Sequence, residues 1–205
     1  MKTNVQELFG EIDIYVFDQI LRGNIAPSMR ILDAGCGYGR NLVFLLGENA
    51  EIFAIDTNPT AVEHVRQLSK SLNPGLPGEN FHVGRVEQLP WAAEFADVVL
   101  CSSVLHFARN DTQFHAMLAE LWRVLRPGGL LFCRLASRIG MDFDPMGNGL
   151  YAMPGGQTWY LVDEQKLMAL TATMKAILVD PLKTTIVQNH RCMTTWVLRK
   201  PQQAA

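Results

Sequence analysis

The residues best equipped for chemistry stand in one run, Asp33-Ala34-Gly35-Cys36-Gly37-Tyr38-Gly39-Arg40-Asn41. A short apolar strand, Arg30 to Asp33, leads into it, and a helical segment from Arg40 to Leu46 follows. Glycine belongs at such a junction because the backbone must turn sharply and let a ligand approach closely. Asp56 ends the next apolar strand, Glu51 to Asp56, where its carboxylate can accept both hydroxyls of a ribose. These residues together describe an adenosine site at the carboxyl edge of a parallel sheet. A dinucleotide site uses GxGxxG and sets a pyrophosphate on the helix start. Here the spacing is GxGxG, and an acid stands two residues before the first glycine. A pyrophosphate gains nothing from Asp33, whereas a cationic sulfonium or ammonium group does.

The elements that must position these residues alternate. An amphipathic helix is expected from a Thr3/Gln6 capping box to about Leu21, with Gly23, Asn24 and Pro27 ending it. Asn58 and Pro59 open a helix carrying Ala61, Val62, Val65, Leu68 and Leu72 on one side. Phe81 to Arg85, Ala96 to Cys101 and Leu130 to Leu135 read as strands, with a helix from Asp111 between the last two. Arg126-Pro127-Gly128-Gly129 is expected to stop that helix. Such alternation predicts a parallel sheet covered on both faces. Residues 137–157, rich in Gly, Pro, Asp and Met, read as irregular. A helix from Asp163 to about Met174 and a hairpin, Thr184–Gln188 with Cys192–Arg199, close the chain.

Bulk properties narrow the function classes. The 205 residues suit one domain, and a net charge of −2 with no Lys/Arg run disfavours nucleic acid. The four cysteines form no CxxC pair, which argues against a zinc or redox site and for a reduced, cytoplasmic setting. No metal is expected. The acidic N-terminus is unlike an export signal, and no apolar run is long enough for a bilayer.

Five segments, in order, resemble the class I (Rossmann-like) S-adenosylmethionine-dependent methyltransferases of small-molecule type. They are the run from Asp33 to Gly39, Ala54-Ile55-Asp56-Thr57-Asn58, the stretch from Val83 to Trp91, Phe95 to His106, and Leu125 to Gly129. The resemblance runs from about Ile31 to Ala136 and is similar to the methyltransferase type 11 group. Arg40-Asn41 is similar to its tellurite-resistance branch. The resemblance implies a three-layer αβα fold with a mostly parallel seven-stranded sheet and an antiparallel last strand. It implies one domain over residues 1–205, with an N-terminal cap over 1–28 and a substrate loop over 137–160. It implies that S-adenosylmethionine binds and leaves as S-adenosylhomocysteine. Gly35, Cys36 and Gly37 would line the cofactor with Asp33 behind them, Asp56 would take the ribose, and Thr57 would flank the adenine. Arg40 would reach the methionine carboxylate, and Cys101 and Ser102 would lie beside the methionine portion. The family commonly has an acid directly after the glycine of the third segment; here Arg85 stands there. Val86 could meet adenine through its backbone; Glu87 could substitute for the acid, although a helix or turn there would point it elsewhere.

The acceptor side is read from residue types. His106, after strand four, is the candidate base or acceptor contact, or else a packed side chain. Arg134, inside an apolar strand, needs either an anionic substrate or a structural acid. Tyr151, Trp159 and Tyr160 would face a planar or cationic acceptor, or pack under their loop. A small-molecule methyl acceptor is expected, with no nucleic acid or membrane partner and a monomer or homodimer. Two rivals stay open: a non-catalytic adenosylmethionine-binding protein and a nicotinamide-dependent oxidoreductase.

Overall fold

The computed structural model describes residues 4–202. The first expected helix is two: α1 (Val5–Phe9) and α2 (Ile14–Leu21). Gly10 ends α1 at φ 59°, and Asp13 caps α2 by accepting the Tyr15 amide at 3.0 Å. Asn4 caps α1; Thr3, the expected cap, lies outside the described residues. The chain continues through β1 (Arg30–Ala34), α3 (Val43–Gly47), β2 (Glu51–Asp56), α4 (Pro59–Leu72), β3 (Phe81–Val83) and β4 (Ala96–Ser102). Then come α5 (Asp111–Val124), β5 (Leu125–Ala136), β6 (Pro145–Gly147), β7 (Leu150–Ala152) and β8 (Thr158–Tyr160). Finally α6 (Glu164–Thr173), β9 (Ile177–Leu178), β10 (Lys183–Val187) and β11 (Arg191–Arg199) end the described chain.

The main sheet has the order β10-β11-β5-β4-β1-β2-β3, with β9 also paired to β11. Strands β1 to β5 are mutually parallel, and β11 runs antiparallel to both β5 and β10. The expected sheet, mostly parallel with an antiparallel last strand, is therefore present, with β9 as an eighth strand. The order reverses at β1, between β4 and β2, so a crevice opens at the carboxyl ends of those strands. The strands are apolar on both faces because both are covered. Ile31, Ile52, Leu100 and Phe132 meet Leu45 and Leu46 of α3 and Val62 and Val65 of α4. Leu32, Val99, Leu131 and Trp196 meet Phe114, Leu118 and Leu121 of α5 and Leu167 of α6.

Three expectations are corrected. The helix before Arg126 ends at Val124, as expected, but Arg126 to Gly129 already lie within β5, whose pairing with β4 shifts register between Ala96 and Val98 and absorbs the irregular residues. The helix after the glycine loop starts at Val43, not Arg40, since Gly39 to Leu42 form a turn first. The irregular segment contains a small antiparallel sheet, β6-β7-β8.

That small sheet decides the position of several candidate residues. Tyr160 is fully buried, stacks on Phe114 at 4.5 Å and donates its hydroxyl to Asp111 at 2.5 Å, beside Lys166. Its backbone neighbour Trp159 lies 4.8 Å from the His106 ring. His106 is 3% exposed, and its Nδ1 accepts the Ala136 amide at 3.3 Å. The ring thus holds the small sheet to the end of β5 as a neutral acceptor.

Burial, helped by the charge of Arg191, holds the His106 imidazole down at about 4 against an ordinary 6.5. The unfolded ring takes up a proton below 6.5 that the folded ring refuses until about pH 4. Stability should therefore be full above the unfolded value and fall through that window, by about 3 kcal/mol in all. Urea unfolding at pH 7 and 4.5 should show a smaller loss for His106→Gln than for the wild type. An equal loss in both proteins would contradict this reading of His106.

Candidate active site

A cavity of about 940 Å³ opens at the carboxyl edge of β1, β2, β4 and β5. Its floor is the glycine loop. The Gly35 and Cys36 amides both donate to the Ile55 carbonyl, at 2.8 and 3.1 Å, which pins the loop to β2. Gly35 has φ 83°, and a Cβ there would fall onto the Val104 side chain. Gly37 has φ 51° and faces open space, so a side chain would intrude where a ligand approaches. Its amide donates to Asp56 Oδ2 at 2.8 Å, and the Asn58 amide donates to Oδ1 at 2.9 Å. The carboxylate is thereby fixed in orientation while each oxygen keeps acceptor capacity. Asp56 and Thr57 both line the cavity, as do Gly35, Cys36 and Gly37.

Asp33 lies behind this loop, 1% exposed, and neither carboxylate oxygen has a hydrogen-bond partner among the described residues. Burial pushes its carboxyl up to about 7; Arg40 pulls it down and the charge of Asp56 adds to the rise. Ionising it costs roughly 4 kcal/mol relative to water. A cation at the cavity floor would offset that cost. The set also includes an oriented carboxylate for a diol and a side-chain-free backbone cradle. These residues fit an adenosyl group carrying a cationic tail.

The opposite wall carries a pair of arginines. Arg40 donates to Ser102 Oγ and to Asp13 Oδ2, both at 3.3 Å. Arg134 donates to the same Asp13 oxygen at 2.7 Å and lies 5.3 Å over the Tyr15 ring. The Asp13 side chain is fully buried, and its amide donates to Asn41 at 3.0 Å. Arg134 has its structural acid in Asp13, and it also lines the cavity. Asp13 is a residue of this wall that sequence reasoning missed. The signals for it were an acid inside an apolar helical stripe and an arginine in a strand that required one.

At the far end Val86, Glu87 and Arg85 line the cavity. Glu87 does turn inward, accepting Gln113 Nε2 at 2.9 Å and facing Arg85 at 3.5 Å. Phe107, 62% exposed, supplies an apolar wall; Arg109 sits at the Glu87 end, bonded to Gln113, and Ser103, Arg191 and Met193 also line the cavity, none of them foreseen. The structure does not bring every candidate here. His106, Tyr151, Trp159 and Tyr160 are absent from the lining, because the small sheet turns their rings into its own packing. Cys101 is also absent from it: it is fully buried beside Cys133 on the face covered by α5 and α6, and its thiol is pushed up by that neighbour and by burial. Ser102, the next residue, points the other way and reaches the cavity.

Comparison with known proteins agrees with this geometry. Residues 32–133 match a family of methyltransferase domains. An uncharacterized methyltransferase of Synechocystis sp. is 26% identical over 81% of this chain and 71% of its own length. A thiol S-methyltransferase of Mus musculus is 33% identical over 64% of this chain, which spans 50% of that relative. Burkholderia thailandensis 1,6-didemethyltoxoflavin-N1-methyltransferase, solved with its acceptor and S-adenosylhomocysteine, superposes with a TM-score of 0.69. The match covers 97% of this chain and 82% of that one at 20% identity, a likeness of fold. The chain belongs to the class I, Rossmann-like family of S-adenosylmethionine-dependent methyltransferases.

Proposed function

We propose that this chain transfers the methyl group of S-adenosylmethionine to a small-molecule acceptor. The observation that carries the proposal is the buried, unpartnered Asp33 carboxylate behind a glycine loop whose neighbour strand presents Asp56. When bound, the sulfonium supplies an activated methyl group on a good leaving group. The chain's own task is binding and alignment. Asp33, behind the loop and outside the cavity lining, supplies counter-charge for the cationic end; Arg40 with Ser102 meets the methionine carboxylate, Asp56 takes the ribose hydroxyls, and Thr57, Val86 and Glu87 hold the adenine. Gly35, Cys36 and Gly37 let the backbone approach. Alignment alone can supply on the order of 7–11 kcal/mol in favourable cases.

No general base is assigned. The cavity lining holds no histidine among the described residues. Acceptors that arrive as anions, such as thiolates or acidic phenols, need none. The whole of residues 1–205 is taken as one methyltransferase domain, with 1–28 as a cap and 137–160 as a support for the acceptor wall. No helix among the described residues is long and apolar enough to cross a membrane. A cytoplasmic monomer or homodimer with a freely diffusing acceptor suits this reading.

Calorimetric titration with S-adenosylhomocysteine should give micromolar binding that weakens at least about tenfold in Asp56→Ala, which loses charge-assisted hydrogen bonds. Unaltered affinity in the variant, or preference for NADH, would sink the assignment. Asp33 adds a stability signature. Its folded value, about 7, lies above the ordinary 3.8, so the folded chain holds a proton that the unfolded chain has released. Stability should then fall as pH rises through that window. Asp33→Asn removes the effect, so its stability relative to the wild type should rise by about 2–3 kcal/mol between pH 5 and 8. Denaturant unfolding across that range checks it, and a pH-independent difference would contradict it.

A further inference from the structure

Charge at the cavity wall is unevenly distributed. Arg40, Arg85, Arg109, Arg134 and Arg191 line it, against the carboxylates of Glu11, Asp56 and Glu87. The adenosylmethionine cation, with two positive groups and one negative, does not neutralise such a surplus. At the adenine end the arginines are occupied: Arg85 faces Glu87, and Arg109 donates to Gln113 at 3.1 Å. At the other end Arg40 and Arg134 share the single carboxylate of Asp13. Arg134 Nε is buried with no partner, and Arg191 has no ion pair among the described residues. The unanswered positive charge therefore gathers on the acceptor side.

Register explains why these groups face one another. Arg134 of β5 pairs with Thr195 of β11, and Ala136 pairs with Met193. Side chains two residues apart on a strand share a face. Arg134, Met193 and Arg191 consequently share one face, with Met193 between the two arginines in the register of the sheet. Phe107, in the short helical turn after β4, lines the same cavity. Guanidinium groups match planar carboxylates, and the flanking Met and Phe favour an apolar body.

We propose that Arg134 and Arg191 form an anion-binding subsite for the methyl acceptor, which is a small carboxylic acid with an apolar or aromatic body seated against Phe107 and Met193. This rests on the methyltransferase reading and names the substrate class for it. Arg191 is the specificity residue, because it touches nothing else that would hold it. Arg134 has a second duty in fixing Asp13.

The test is calorimetry with matched pairs: 4-hydroxybenzoate, 4-mercaptobenzoate and indole-3-acetate, each against its amide. Titrations run on the free protein and with saturating S-adenosylhomocysteine. At least one acid should bind about tenfold more tightly than its amide, as a charge-assisted contact requires. That preference should shrink in Arg191→Gln and at high salt. Thermal unfolding of the variant should match the wild type, since Arg191 has no ion pair to lose. Acids that bind no better than amides, or a preference untouched by Arg191→Gln, would overturn the subsite. Failure of S-adenosylhomocysteine to bind would instead count against the methyltransferase reading, and the acid–amide comparison on free protein is read separately.

Discussion

Folding buries the Asp33 carboxylate at the end of β1 with neither oxygen satisfied, at a cost that most proteins avoid. The cost is tolerated because β1 is an interior strand at which the sheet order reverses, and the whole crevice is built around its end. Packing leaves the residue no way out: Ile31 and Leu32 are fully buried on opposite faces, and the loop beyond is tied to β2 through two bonds to Ile55. The strain of an unpaired acid is thus held at the place where a cationic ligand would relieve it, which is how binding sites commonly oppose stability.

A second acid organises the opposite wall. Asp13 brings the start of α2 against the glycine loop and β5, joining Arg40, Asn41 and Arg134. Without it, the two guanidinium groups that share its Oδ2 would sit side by side with no counter-charge. Its own position depends on the break at Gly10, which frees residues between α1 and α2 from helical geometry and lets the Asp13 side chain reach inward. Fold and electrostatics are coupled here: the same carboxylate caps a helix, docks the N-terminal segment and orients two cavity arginines.

The glycine-loop end of the cavity was legible in the sequence because its parts are local. A strand, a glycine turn and an acid one strand later lie within Ile31 to Thr57, and each constrains its neighbour through backbone conformation. The arginine-lined end was not. Arg134 meets Asp13 across 121 positions, and Arg191 and Met193 reach the cavity only through the pairing of β11 with β5. No local pattern marks such partners. The small sheet escaped detection because Pro145 to Tyr160 lacks the alternation that signals strands, its turns being rich in glycine. Its presence is what moved His106, Trp159 and Tyr160 from expected acceptor contacts to packing. Cys101 and Ser102 show the same limit on a finer scale, since strand alternation sends only one of two neighbours to the cavity.

The central claim is that Asp33 is reserved for the cationic end of the cofactor. Carbon-13 NMR titration of the Asp33 carboxyl, in free protein and with saturating S-adenosylhomocysteine, tests it directly. The expected result is a midpoint near 7 in the free protein, moving well down when the ligand's ammonium group is bound. A midpoint already in the ordinary carboxylate range, or one that the ligand leaves in place, would contradict the assignment.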